Sequence, residues 1–200
     1  MGPKRRKPDQ SIQLFPEYIK NRFKIIKRGN IEKDYYPPYN ILLTEYFPAY
    51  EGYSVAPVAQ PVGERDSIDF TVEYVVECNA KPVMFLEIKA PDDFEKDSKR
   101  QEADEQMRRR FRQLIDDCPD FINKLYGLSA FGTKMAYYTL DTEERKITPL
   151  KIKDDDIYIK DTAPKKWWDS DMLQQGGEQR FLEVVEEIKA RCRDFSGRRI

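Results

Sequence analysis

Apolar residues first recur at helical spacing. Phe15, Ile19, Phe23 and Ile26 lie on one stripe of a segment running from Pro16 to Arg28, because positions three and four apart share a helix face. Pro16 suits a first turn, and Gly29-Asn30 suits a C-cap. Tyr35-Tyr36-Pro37-Pro38-Tyr39 then breaks the pattern. Asn40 is placed to cap a short helix, Ile41 to Phe47, which Pro48 ends.

Strand signals follow. Tyr50 to Val62 is loosely extended and interrupted by proline, which suits an edge strand. Ile68 to Val76 is rich in β-branched and aromatic residues. Cys78-Asn79-Ala80-Lys81 reads as a turn, and Pro82 to Lys89 returns as the hairpin partner. Between about Lys96 and Leu125 the periodicity is helical again, with Ala103, Met107, Phe111, Leu114 and Ile115 on one stripe and Pro119 as a break. Gly127 to Lys134 reads as a turn and Lys134 to Leu140 as a strand; Ile147 to Ile152 and Ile157 to Ile159 are further strand candidates. A last amphipathic helix follows Gly176-Gly177, with Phe181, Val185, Ile188 and Cys192 inward. The order helix, three strands, helix, strand predicts an α/β sandwich around a mixed sheet.

Composition narrows the chemistry. The 200 residues fit a single domain, read as 15–200 with a core at about 40–140 and an extension at 141–200, behind a basic tail at 1–14. Histidine is absent, which removes Ser-His-Asp and Cys-His nucleophile systems, His-ligated zinc and His general bases. The cysteines, Cys78, Cys118 and Cys192, have no CxxC spacing and read as free thiols of an intracellular protein. No run approaches the ~20 apolar residues of a membrane span. Lysine and arginine total 35 against 36 acids, but the balance is uneven. Residues 1–28 carry nine basic residues against Asp9 and Glu17. Pro3-Lys4-Arg5-Arg6-Lys7 has the character of a nuclear import signal, of a phosphate-binding arm, or of a solubilising tail.

The informative stretch is the hairpin. Residues two apart on a strand share a face, so Glu87 and Lys89 project together while Met84, Leu86 and Ile88 project oppositely. A turn near 78–79 brings Asp69 opposite or diagonal to 87–89. Glu-x-Lys also occurs at Glu144-Arg145-Lys146 and Glu187-Ile188-Lys189. Only Glu87-Ile88-Lys89 closes an apolar strand whose hairpin mate begins with an acid. Two carboxylates, a backbone carbonyl and a nearby ammonium suit a divalent ion that polarises a phosphodiester and activates water.

Asp69…Glu87-Ile88-Lys89, with this element order, resembles the PD-(D/E)XK nuclease superfamily over roughly residues 40–140; Ile68 stands where that signature has proline. The resemblance implies a restriction-endonuclease-like α/β/α core and Mg²⁺- or Mn²⁺-dependent hydrolysis of nucleic acid, more often DNA than RNA. It implies Asp69 and Glu87 as metal ligands, the Ile88 carbonyl as a third, and Lys89 as the water-positioning lysine. An acid from the first core helix is implied as well. Glu45 is the first choice, with Glu51 and Glu17 as rivals, and Gln101 or Gln106 would supply a glutamine on the following helix. The superfamily also contains members that keep the fold without the chemistry, so the alternative is an inactive module that binds nucleic acid or protein.

Three other stretches carry weaker signals. Gly127 to Lys134 has glycine, threonine and lysine in the wrong order for a phosphate loop and leads into a strand. Arg108-Arg109-Arg110 and Arg112, beside Lys99, Arg100 and Gln101, make the second long helix a candidate track for a phosphate backbone, against the alternative of a solvated face paired with Glu102, Asp104 and Glu105. Lys165-Lys166-Trp167-Trp168 suits base stacking, but the area two tryptophans bury favours packing of the extension onto the core.

Overall fold

The computed structural model describes residues 14–26, 31–61, 70–119, 122–153 and 160–196. Asp69, the basic tail, the Gly29-Asn30 cap and the 157–159 strand candidate lie outside these residues.

Helix α1, Glu17–Lys24, buries Ile19 and Phe23 as the stripe predicts. Helix α2, Tyr36–Tyr46, starts earlier than expected. Pro37 and Pro38 occupy its first turn, where a missing N–H costs no intrahelical bond, so they open the helix instead of breaking it. Asn40 is interior and caps nothing.

Strands β1 (Tyr53–Pro61), β2 (Phe70–Cys78) and β3 (Lys81–Lys89) form an antiparallel meander. The β2–β3 turn is the predicted one, with Asn79 and Ala80 at positive φ. Helix α3, Asp97–Leu114, then crosses over to β4, Lys124–Phe131, which lies parallel to β3. Strands β5 (Lys134–Asp141) and β6 (Lys146–Thr148) continue antiparallel, short β7 (Ser170–Asp171) pairs with β5, and α4 (Gln175–Ser196) closes the chain. The sheet order is β1-β2-β3-β4-β5-β6, a mixed and open sheet.

Three sequence expectations are corrected. The α-helix ends at Leu114, a 3₁₀ turn continues to Asp117, and the helical region does not reach Leu125. The stretch read as a turn is strand β4 as far as Phe131 and turns only at Gly132-Thr133; β4 is the strand parallel to β3, and the expected 134–140 strand follows as β5. The expected strand over 147–152 shrinks to β6.

Gly127 disguised β4. A methyl group there would lie 2.6 Å from Met107 Cε, 2.7 Å from Phe85 Cζ and 2.8 Å from Phe111 Cζ. The glycine is the place where α3 presses against the sheet. Gly127→Ala is expected to destabilise the fold by about 1–3 kcal/mol through overpacking, read as a lowered urea midpoint with unchanged slope.

The sheet has two covered faces. Leu86 and Ile88 of β3, with Val76 and Leu128, pack under α1, α2 and α4. Phe85, Val75 and Tyr138 pack under α3 together with Trp168. Trp168 is buried and donates Nε1–H to Ser129 Oγ at 3.3 Å, so the tryptophan pair serves packing, as expected. No helix among the described residues is long and apolar enough to cross a membrane.

Candidate active site at the end of the hairpin

The apolar alternation of β3 turns Glu87 and Lys89 to the α3 side, opposite Leu86 and Ile88, as the pattern predicts. Lys89 Nζ lies 3.2 Å from Glu87 Oε1, and both residues are buried. Directly across the ladder from Glu87 stands Glu73. Residues opposed on antiparallel strands have Cβ atoms about 4.5–5.5 Å apart, so two buried carboxylates face one another. Glu73 is ion-paired with Arg110 of α3.

The strands separate at this point. Among the described residues the β2–β3 ladder ends at Glu73–Glu87, although β2 starts at Phe70 and β3 runs on to Lys89. Ile88 keeps its partner on β4, Ala130, and has none on β2 among those residues.

A third acid approaches from before α2. Glu32, in a 3₁₀ turn at Glu32–Tyr35, accepts a hydrogen bond from the Tyr36 hydroxyl. Burial raises its pKa, while the Tyr36 bond and the neighbouring Lys89 charge lower it. Burial likewise raises Glu73, opposed by Arg110. Glu87 is pushed up to about 7, first by burial, with Lys89 opposing and the Glu73 and Glu32 charges adding to the rise.

This gives stability a pH signature. The unfolded Glu87 loses its proton near the ordinary carboxylate value of 4.5 and the folded one near 7. Between those values the folded state binds more protons, so this contribution is present below about 4.5 and is lost as pH rises through about 7. Urea melts across that window should show a falling contribution in the parent chain that Glu87→Gln removes. An identical slope in both proteins would refute the assignment.

Other sequence candidates lie elsewhere. Glu45 is exposed near the far end of α2, beside the Tyr18 hydroxyl with which it hydrogen-bonds. At 1.5 Å per residue it stands about 13 Å along the helix from Tyr36. Glu51 pairs with Lys189 and Glu17 with Lys24.

Of the proposed phosphate track, Arg109 and Arg112 are exposed and Gln101 is half-buried. Arg100 and Arg108 are corrected. Arg100 is buried and donates to the Ala163 and Phe94 carbonyls at 2.9 and 2.8 Å, while pairing with Asp97 and Asp161. Arg108 is buried between Asp104 and the Pro149 carbonyl, each at 2.8 Å. Neither presents a guanidinium to a ligand.

Sequence reasoning gave Glu73 and Glu32 no role, and it placed Arg110 only among the candidate phosphate contacts of α3, not beside Glu73. One signal was present: Gln106 and Arg110 are four apart and flank the inward stripe of α3. The Gln106 Oε1 atom is buried without a hydrogen-bond partner among the described residues.

The opposed carboxylates, at a strand edge where the ladder opens, suit a hard divalent cation. No group of three or more His, Cys, Asp or Glu among the described residues is close enough to hold a metal. Carbonyl and water ligands, or Asp69, would have to complete such a set. Comparison with protein-family models, curated proteins and solved structures gives no match.

Proposed function

We propose that the chain is a Mg²⁺- or Mn²⁺-dependent nuclease with a restriction-endonuclease-like core, hydrolysing phosphodiester bonds of nucleic acid, DNA in preference to RNA. The observation that carries this reading is the opposed pair Glu73–Glu87 where β2 leaves β3, with Lys89 beside it. The order α2, three antiparallel strands, α3 and a parallel β4 supports it.

In this reading Glu73 and Glu87 hold the ion, the Ile88 carbonyl and Asp69 are further ligands, and Glu32 supplies the acid first sought at Glu45. When bound, the ion supplies Lewis acidity and a water of lowered pKa. Lys89 orients that water or offsets charge developing on the phosphate. Arg109 and Arg112 are exposed and so open to phosphate contact.

A second reading, an inactive module that binds nucleic acid or a protein, has one observation in its favour. Both opposed acids are already closed by ion pairs, Lys89–Glu87 and Arg110–Glu73. The two readings part in one experiment. Purified chain with Mg²⁺ or Mn²⁺ is offered plasmid, linear duplex and single-stranded substrates, alongside a chelator control and the Glu73→Gln and Asp69→Asn variants. Metal-dependent cleavage lost in Glu73→Gln supports the nuclease; binding without cleavage under every condition supports the module.

A further inference from the structure

We propose that Arg110 is an exchangeable counter-ion: it holds Glu73 while the site is free of metal, is displaced when a divalent cation binds between Glu73 and Glu87, and then takes a phosphate oxygen of the substrate. This rests on the reading of Glu73 and Glu87 as the cation-holding pair.

Three arginines of α3 have low exposure, and they are held differently. Arg100 has four partners spread over three segments, and Arg108 is tied to both an aspartate and a backbone carbonyl. Both are fixed. Arg110 has its Glu73 contact and, among the described residues, one 3.3 Å bond from Nη1 to the exposed Gln113. Its side chain is 16% exposed, against 6% for Glu73. It therefore sits at the boundary of the cluster, with a long stem and a route to water.

Charge decides which cation leaves. Glu32, Glu73 and Glu87 face Lys89 and Arg110, so the cluster is already nearly neutralised. A divalent ion placed between Glu73 and Glu87 adds two positive charges a few ångströms from both side chains, where repulsion is weakly screened. Lys89, rooted on β3, shares Glu87 with the ion but keeps the Glu32 charge nearby, whereas Glu73 is the one carboxylate contact of Arg110 among the described residues. Arg110 loses the carboxylate that the metal takes. A planar guanidinium freed at the mouth of the site matches two oxygens of a phosphodiester.

The test uses the full chain at a pH above the range in which Glu87 takes up its proton. Mn²⁺ affinity is measured without nucleic acid, by the loss of the free-ion EPR signal, for the parent chain, Arg110→Gln, Arg110→Lys and Glu73→Gln. Affinity for a duplex oligonucleotide is measured with Ca²⁺ over a range of salt. Removing the competing charge should tighten Mn²⁺ binding about tenfold in Arg110→Gln, and Arg110→Lys, which keeps the charge, should stay near the parent. Oligonucleotide binding by Arg110→Gln should weaken, its salt slope falling by about one.

Mn²⁺ affinity unchanged or weaker in Arg110→Gln overturns the exchange, as does equal tightening in Arg110→Lys or an unchanged salt slope. Should the parent chain take up no Mn²⁺, or Glu73→Gln bind it as well as the parent does, the metal-site reading itself fails and the exchange falls with it.

Discussion

Lys89→Ala is expected to lower metal-dependent cleavage by about 10²–10⁴-fold, the usual scale for losing a positioned proton-handling or electrostatic group. The chain should nevertheless remain folded. In the parent chain the ammonium lies against Glu87 and lowers the pKa of both Glu87 and Glu32. Without it three acids share a buried site whose remaining cation is committed to Glu73. Glu87, already at about 7, moves further up and takes a proton at neutral pH. Neutralisation spares the fold the cost of an unpaired buried charge. Rates on linear duplex with saturating Mg²⁺, set beside thermal melts followed by circular dichroism, check both halves. Undiminished cleavage by a folded variant would remove Lys89 from the reaction.

Arg100→Ala is expected to be the most destabilising single change, by about 3–5 kcal/mol, because truncation strands several buried partners at once. The guanidinium fastens the segment around Ala163 to the Phe94 carbonyl and to α3. Nearby Trp168 then packs against Phe94 and Phe131. The exposed Arg109 and Arg112 make good controls, since alanine at either should change stability by no more than about 0.5 kcal/mol. A phosphate-binding Arg100 would give the opposite result, weaker nucleic-acid binding at unchanged stability. Urea unfolding of the three variants decides between them.

These arginines show what the sequence carried and what it withheld. Where burial follows from periodicity it was legible: Ile19 and Phe23 of α1, the Asn79-Ala80 turn, the alternation that separates Glu87 and Lys89 from Leu86 and Ile88, and the inward face of α4. Charged residues escaped the pattern. Arg100 and Arg108 read as a phosphate track or a solvated face, and Glu73 drew no role, because their burial depends on partners distant in the chain: Asp161 and Ala163 for Arg100, Pro149 for Arg108, and Arg110 for Glu73. Asp69 drew the metal assignment through the Asp…Glu-x-Lys motif and lies outside the described residues; within them, the register puts Glu73 opposite Glu87. Strand β4 was hidden for a different reason. Gly127 and Ser129 have low strand propensity, and each is there for contact, with α3 in one case and Trp168 in the other.

The parallel pairing of β3 with β4 also sets an order of assembly. The β2–β3 hairpin closes over a two-residue turn, whereas Glu87 meets Ser129 across more than forty residues of chain. Local closure is fast and long closure slow, so Glu73 and Glu87 face each other in water before anything covers them. At that stage both are ordinary carboxylates. Water leaves only when α3 and β4 dock, bringing Arg110 to one acid and desolvating the other. The proton that Glu87 gains near neutral pH thus belongs to the docking step, and the rate of that step should itself depend on pH while hairpin closure does not.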